Sequence, residues 1–189
     1  MTLLILGLVI FLGIHSISIV APGVRDRWAA AMGANAWRAV YSLISLAGFV
    51  LLVHGYGLAR QSPTVIYSPP LWLRHVALLL MLPVFPLLFA AYLPGRIKSA
   101  LKHPMLVAIK TWALAHLLAN GMLADVLLFG GFLAWAVLDR ISLKRRVARP
   151  VAGAPPSPWN DAIAIVGGLA VYVITLYWLH RVLIGVPLQ

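Results

Sequence analysis

What most constrains this chain is the recurrence of apolar runs about twenty residues long, separated by short stretches that hold nearly all of its charge. A helical run of that length matches the roughly 30 Å hydrocarbon core of a bilayer. In lipid every backbone N–H and C=O must be paired, and a helix does this within itself. The runs fall at about 2–21, 39–58, 71–93, 104–119, 122–138 and 159–184. They predict an all-α, polytopic integral membrane bundle of six transmembrane helices, one domain over residues 1–189. Composition agrees: 62% of the residues are hydrophobic and 10% charged, where soluble domains carry about a quarter charged. Lipid is therefore the expected partner of the outer helix faces.

Breakers divide the runs. Pro22-Gly23 ends the first and Pro94-Gly95 the third. Pro83 and Pro86 are expected to kink the third, with neighbouring helices or water taking up the freed carbonyls. Ser42, Ser45 and Gly48 recur at helical spacing in the second run, which predicts close approach by another helix. Pro104 suits the first position of the fourth helix and Asn120-Gly121 its C-cap, so the fourth and fifth runs are expected to form a tight hairpin. No Lys or Arg precedes Arg25, so the basic start of a signal peptide is missing and the first helix is expected to be retained.

The charge is one-sided: 15 Lys and Arg against 4 acidic residues, all of them Asp, for a net +11. In a soluble protein this would suggest nucleic acid, but no RNP, zinc-finger or helix-turn-helix pattern accompanies it. Alternate loops explain it instead. Arg25, Arg27 and Arg38, then Arg96, Lys98 and Lys102, then Arg140, Lys144, Arg145, Arg146 and Arg149 make up eleven of the fifteen, whereas Arg60, Arg74 and Arg181 belong to the opposite side. The positive-inside rule then places both termini on the non-cytoplasmic side. Trp28 and Trp37 take interfacial positions in the first basic loop, and Asp139–Pro158 is the one long linker. Its basic half serves as a topology signal and is also suited to anionic lipid headgroups.

Ionisable residues inside spans are costly and mark functional sites. The chain has no GxSxG, HExxH, P-loop or GxGxxG pattern, and neither Cys nor Glu, so histidine is its best remaining ligand for a transition metal or haem iron. His54, His75, His103 and His180 fall near helix ends, while His15 and His116 fall deep within their spans. Trp112 precedes His116 by four residues and shares its face, where it either walls a planar cofactor or packs as an ordinary helix contact. Across the expected hairpin, His116 lies level with Asp125. Ligating histidines donate their second ring N–H to a carboxylate or carbonyl, so Asp125 is expected to orient His116, or else to reach the headgroup region. Lys110 falls opposite Gly130-Gly131 in the same register and is expected to snorkel. Two deep histidines on separate apolar spans suit the axial ligands of a haem.

The arrangement His103-Pro104, Trp112, Ala115-His116, Asn120-Gly121, together with His15-Ser16 and the segment Trp37–Ser45, resembles the NnrU family over essentially the whole chain. That resemblance implies a bacterial inner-membrane protein linked to nitric oxide and nitrite metabolism. Plant and cyanobacterial relatives include ζ-carotene isomerase, which holds b-type haem between two histidines resembling His15 and His116. The isomerase has a ligand-switching cysteine three residues before the second histidine, where this chain has Ala113. The resemblance thus implies haem b on His15 and His116, with Trp112 and Asp125 at the site, serving denitrification or nitric oxide handling by redox or sensing. Two alternatives remain open. One is a haem-dependent cis–trans isomerase of a carotenoid-like, lipophilic polyene. The other is a non-catalytic assembly factor for a respiratory-chain protein.

Overall fold

A computed structural model describes residues 1–146 and 153–185. Its elements are α1 (Thr2–Val20), α2 (Pro22–Met32), α3 (Ala34–Ala59), α4 (Trp72–Met81), α5 (Val84–Tyr92), α6 (Arg96–Leu101), α7 (Pro104–Ala119), α8 (Leu123–Ser142), α9 (Asn160–Ile174), a π-helical turn Thr175–Leu179, and α10 (His180–Ile184). The described residues contain no strand, only an isolated antiparallel bridge between Val65 and Met122. Four stretches are long and apolar enough to cross a membrane: Thr2–Val20, Ala34–Ala59, Trp72–Tyr92 and Asn160–Val182. The other two expected spans are helical but weaker by that measure. One is the 16-residue α7; the other is α8, whose 20 residues include Asp125, Asp139 and Arg140. The chain falls into two compact units, Met1–Ser68 with Asn120–Arg146, and Pro69–Ala119 with Val147–Gln189.

In the first unit α1 and α3 meet at backbone distance. A Cβ at Gly7 would lie 2.7 Å from Leu52 Cα, one at Gly48 2.8 Å from the Phe11 nitrogen, and one at Gly55 2.8 Å from Leu4 Cα. Contacts that rise along α1 fall along α3, so the helices run antiparallel. Lipid tails are as apolar as leucine, and helices in a bilayer therefore associate through close van der Waals packing, which small residues permit. Gly48 fulfils the expected close approach, while Ser42 is exposed and the stripe continues through Leu52 and Gly55 instead. α8 lies on α1, with Gly131 facing the Leu12 and Leu8 side chains at 3.6 and 3.7 Å and Phe132 meeting Phe11 at 5.7 Å.

The first basic loop is helical rather than irregular. Pro22 ends α1 as expected, but it then occupies the first turn of α2, where its missing N–H costs nothing. Gly33, at φ 82°, separates α2 from α3. Trp28 remains half exposed, whereas Trp37 is buried, 5% exposed, with its ring 6.3 Å from Trp28. At the other end of the span pattern, α8 runs beyond the expected 138 to Ser142, carrying Asp139 inside the helix because that carboxylate pairs with Arg146. The linker positions 147–152, including Arg149, lie outside the described residues.

Gly121 is not a left-handed C-cap; the described glycines with positive φ are Gly33 and Gly185. Its lack of a side chain serves close approach instead. A Cβ there would run into the Tyr67 carbonyl, and the Gly121 carbonyl accepts the Ile66 and Tyr67 N–H groups at 2.8 and 3.1 Å.

In the second unit the third span breaks at Leu82-Pro83, between α4 and α5. Pro83 has no N–H for the Leu79 carbonyl; the Leu82 N–H turns to that carbonyl instead, at 3.3 Å, and the Leu78 carbonyl accepts from the Tyr172 hydroxyl of α9 at 3.0 Å. This is the helix-to-helix compensation that prolines in a span require. α9 packs on α5 through Gly168, where a Cβ would lie 2.6 Å from Pro86 Cδ. α7 is seated by Val84, Leu87 and Ala108, with Trp112 packed against them. Asp161 accepts the Arg96 and Ile97 N–H groups at 2.8 and 3.2 Å and so caps α6. Lys102, at φ 61°, makes a γ-turn closed by His103 N–H to the Leu101 carbonyl at 2.7 Å, and Pro104 then starts α7 as expected.

Overpacking tests the α1–α3 contact. Gly55→Ala should destabilise the protein by roughly 1–3 kcal/mol, read by thermal unfolding in detergent. Gly57→Ala, whose Cβ meets nothing within 4 Å, should leave the midpoint unchanged or raise it.

Candidate functional site

His15 follows from the α1 face that carries Leu4, Gly7 and Phe11, one residue per turn on the same side. Its Nδ1 lies 2.6 Å from the Phe11 carbonyl one turn back. A carbonyl only accepts, so Nδ1 carries the proton and the neutral ring holds its lone pair on Nε2. Aromatic rings enclose the imidazole. Phe11 stacks on it at 4.3 Å and 28°, Tyr41 of α3 meets it edge-on at 5.2 Å, and Trp135 of α8 stands at 88° to it, 6.0 Å away. All of these residues belong to the first unit. Tyr41 continues outward to Trp37 at 6.2 Å, and the Arg25 guanidinium covers Trp37 at 5.7 Å.

His116, in the second unit, repeats the same local arrangement. Its Nδ1 lies 2.9 Å from the Trp112 carbonyl, which fixes the same tautomer, and the Trp112 ring stands 5.3 Å away at 54°. In each case an aromatic residue four positions back supplies both the carbonyl and a neighbouring ring. Helical spacing alone produces this geometry, so Trp112 is the partner the sequence predicted, and Phe11 is its unpredicted counterpart on α1. The buried Ala113 and Ala115 bring α7 close to its neighbours beside this turn.

The expected orienting group of His116 was Asp125, and the Nδ1 position it would have served is taken by the Trp112 carbonyl. Asp125 itself is 1% exposed. Tyr56 Oη donates to Oδ1 at 2.6 Å, and the Met122 N–H donates to Oδ2 at 3.0 Å, closing the start of α8. Arg60 Nη1 reaches Tyr56 Oη at 3.3 Å, and its guanidinium lies over the Tyr56 ring. The carboxylate therefore fastens α3 to the Asn120–Leu123 turn, into which α7 runs. Tyr67 strengthens that turn by donating to the Asn120 carbonyl at 2.7 Å. Burial, with the Asp125 charge adding to it, raises the Tyr67 phenol above its ordinary range, so it stays a donor at neutral pH.

His54 and His75 are exposed, and His103 and His180 are half-buried near helix ends. Among the described residues no three His or Asp side chains gather as a metal cage. Gly131, expected opposite Lys110, faces α1. Sequence reasoning missed Phe11, Tyr41, Tyr56 and Trp135. Their signal was their spacing, since Phe11 precedes His15 by four and Trp135 precedes Asp139 by four.

Long apolar helices joined by basic segments, with ionisable side chains held inside them by local hydrogen bonds, define an all-helical membrane protein. The chain belongs to the NnrU family: the family model described as NnrU protein matches residues 3–188. No curated protein and no solved structure matches the chain.

The Asp125 fastening is open to mutation. Asp125→Ala removes the acceptor of the Tyr56 O–H and of the Met122 N–H and should cost about 3 kcal/mol, while Tyr56→Phe should cost about 1–2 kcal/mol. The double variant should cost less than the sum, measured as a double-mutant cycle of unfolding.

Proposed function

We propose that this chain is an inner-membrane haem b protein that uses His15 and His116 as axial ligands and serves nitric oxide or denitrification-related redox or sensing. The carrying observation is the shared geometry of the two histidines. Each commits Nδ1–H to the carbonyl four residues back, at 2.6 Å for His15 and 2.9 Å for His116, and so presents Nε2 as the ligating nitrogen. Metal-bound imidazoles are held in this way by a second hydrogen bond, which sets the ring's orientation and raises its basicity.

The surrounding residues are suited to the group. Phe11, Tyr41 and Trp135 around His15, and Trp112 beside His116, supply apolar ring faces for a planar macrocycle. A porphyrin brings four nitrogens of its own and requires only axial ligands from the protein, which matches a donor set of two separate imidazoles. The buried Trp135 Nε1, without a hydrogen-bond partner among the described residues, offers a donor beside His15. Asp125 acts at one remove, by fixing the turn into which the His116 helix runs.

When bound, haem supplies a one-electron centre whose potential depends on its axial ligands and burial. The protein's part is to hold both imidazoles in the Nε2-presenting tautomer and to keep water from them with aromatic walls. Ala113, fully buried, stands where the isomerase relatives carry their switching cysteine, which favours the redox or sensing role over polyene isomerisation. Six spans, with both termini outside the cytoplasm, complete the reading. Eleven of the fifteen Lys and Arg then lie on the cytoplasmic side.

Purified wild type should show a Soret band and a positive pyridine-haem assay. His15→Ala and His116→Ala should each lower haem content at least about tenfold, the effect of losing roughly 1.4 kcal/mol or more of binding, while His54→Ala retains it. A colourless, iron-free wild-type preparation would overturn the proposal.

A further inference from the structure

An open groove of about 760 Å³ runs between Pro94, Gly95, Arg96, Ser99 and Ala100 on one side and Pro156 on the other. All of these residues belong to the second unit. The volume falls in the range of sites that hold small organic ligands, about 300–1,000 Å³. Local sequence builds the groove. Pro94-Gly95 follow α5 and lead into α6. Arg96, Ser99 and Ala100 then stand at i, i+3 and i+4, one face of that helix. The facing wall is tied down by Asn160, 3% exposed, whose Nδ2 donates to the Pro94 carbonyl at 2.8 Å and to the Pro155 carbonyl at 3.1 Å. The Tyr92 carbonyl adds a second tie by accepting the Ala154 N–H at 2.9 Å.

Depth and charge identify the occupant. Two stretches long enough to cross a membrane meet here, Trp72–Tyr92 at its end and Asn160–Val182 at its start. Tyr92 and Trp159 beside them are exposed, and Tyr and Trp at span ends mark the headgroup layer. The groove therefore opens at the level of phospholipid phosphates. Its polar recognition falls to Arg96. Ser99 Oγ has already given its proton to the Gly95 carbonyl, at 2.9 Å. Asp161 binds the Arg96 and Ile97 N–H groups through its two oxygens, and the Arg96 guanidinium forms no ion pair with a described carboxylate. Its planar fork matches two phosphate oxygens at once. Lys98, held to the Ala91 carbonyl at 2.8 Å, and the exposed Lys102 add positive charge around α6. That balance favours an anionic headgroup over one that carries its own ammonium.

We propose that this groove is a binding site for an anionic phospholipid of the leaflet on the basic side. Arg96 holds the phosphate, while Pro94, Ala100 and Pro156 take the glycerol and the first methylenes of the acyl chains. A free phosphate ion offers Arg96 the same oxygens but leaves those apolar walls unfilled. The site goes beyond the haem reading and does not depend on it, because its lining shares no residue with the surroundings of His15 and His116.

The test is native mass spectrometry of the full-length protein, stripped of lipid in detergent and titrated with phosphatidylglycerol or with phosphatidylcholine of the same acyl chains. Wild type should take up its first phosphatidylglycerol about tenfold more tightly than phosphatidylcholine, the worth of one charge-assisted hydrogen bond. Arg96→Gln should remove that preference by weakening phosphatidylglycerol. Ala100→Trp, which fills the groove and keeps every charge, should remove it as well. Lys102→Gln, which deletes a charge outside the groove, should retain it. Lipid-free unfolding midpoints of the three variants should match wild type. Equal wild-type affinity for the two lipids overturns the site. A preference lowered as far by Lys102→Gln as by Arg96→Gln assigns it to diffuse surface charge, and a full preference in Ala100→Trp removes the groove from it; either result overturns the proposal. Inorganic phosphate that displaces phosphatidylglycerol from wild type at equal concentration assigns Arg96 to the free anion and overturns the lipid occupant.

Discussion

The first unit depends on the backbone-close contact between α1 and α3. Gly7, Gly48 and Gly55 leave no room for a side chain between the helices, and in lipid such proximity is what makes helix association favourable. The contact has a directional consequence. It fixes which face of α1 turns inward, and that face carries Leu4, Gly7, Phe11 and finally His15. The imidazole thereby meets Tyr41 from α3 and Trp135 from α8.

Most polar groups in the apolar frame are satisfied by a short hydrogen bond, some within one helix and some from another element. Both histidines bond to carbonyls on their own helix. Asp125 is closed by Tyr56 and the Met122 N–H, Asp139 by Arg146, and Asp161 by two N–H groups at the start of α6. The carbonyl released at the α4–α5 break is taken by Tyr172. Unsatisfied groups cost several kcal/mol each in hydrocarbon, so these partners offset the cost of holding His15, His116, Asp125 and Asp139 within apolar helices. Among the described residues the exceptions are four buried side-chain atoms, Ser45 Oγ, Trp135 Nε1, Arg146 Nη1 and Thr175 Oγ1.

Helical class, membrane character and family were legible in the residues, because apolar run length and proline position report directly on spans. The proline-induced compensation in the third span was legible for the same reason, although Tyr172 as the compensating group was not. Tertiary effects decided the rest. Gly121 read as a cap by its place after α7, but its use depends on Tyr67, fifty-four positions away in sequence. Asp139 read as a helix boundary because a lone acid ends a span, and its pairing with Arg146 allows α8 to continue. The i−4 relation of Trp112 and His116 was visible at once, and the same relation between Phe11 and His15 was equally local but overlooked. Asp125 was read toward His116 from depth alone, and depth does not reveal the Tyr56 phenol and the Met122 N–H that bond its two oxygens.

The central claim is that two imidazoles, each presented through Nε2, ligate one iron. Electron paramagnetic resonance of the oxidised, purified protein tests this most directly, because it reports the axial ligands rather than the mere presence of pigment. The account predicts a low-spin ferric signal of bis-imidazole type in wild type that becomes high-spin or disappears in either histidine variant. A wild-type spectrum without ferric haem, or with only the high-spin signal of a single axial ligand, would contradict it.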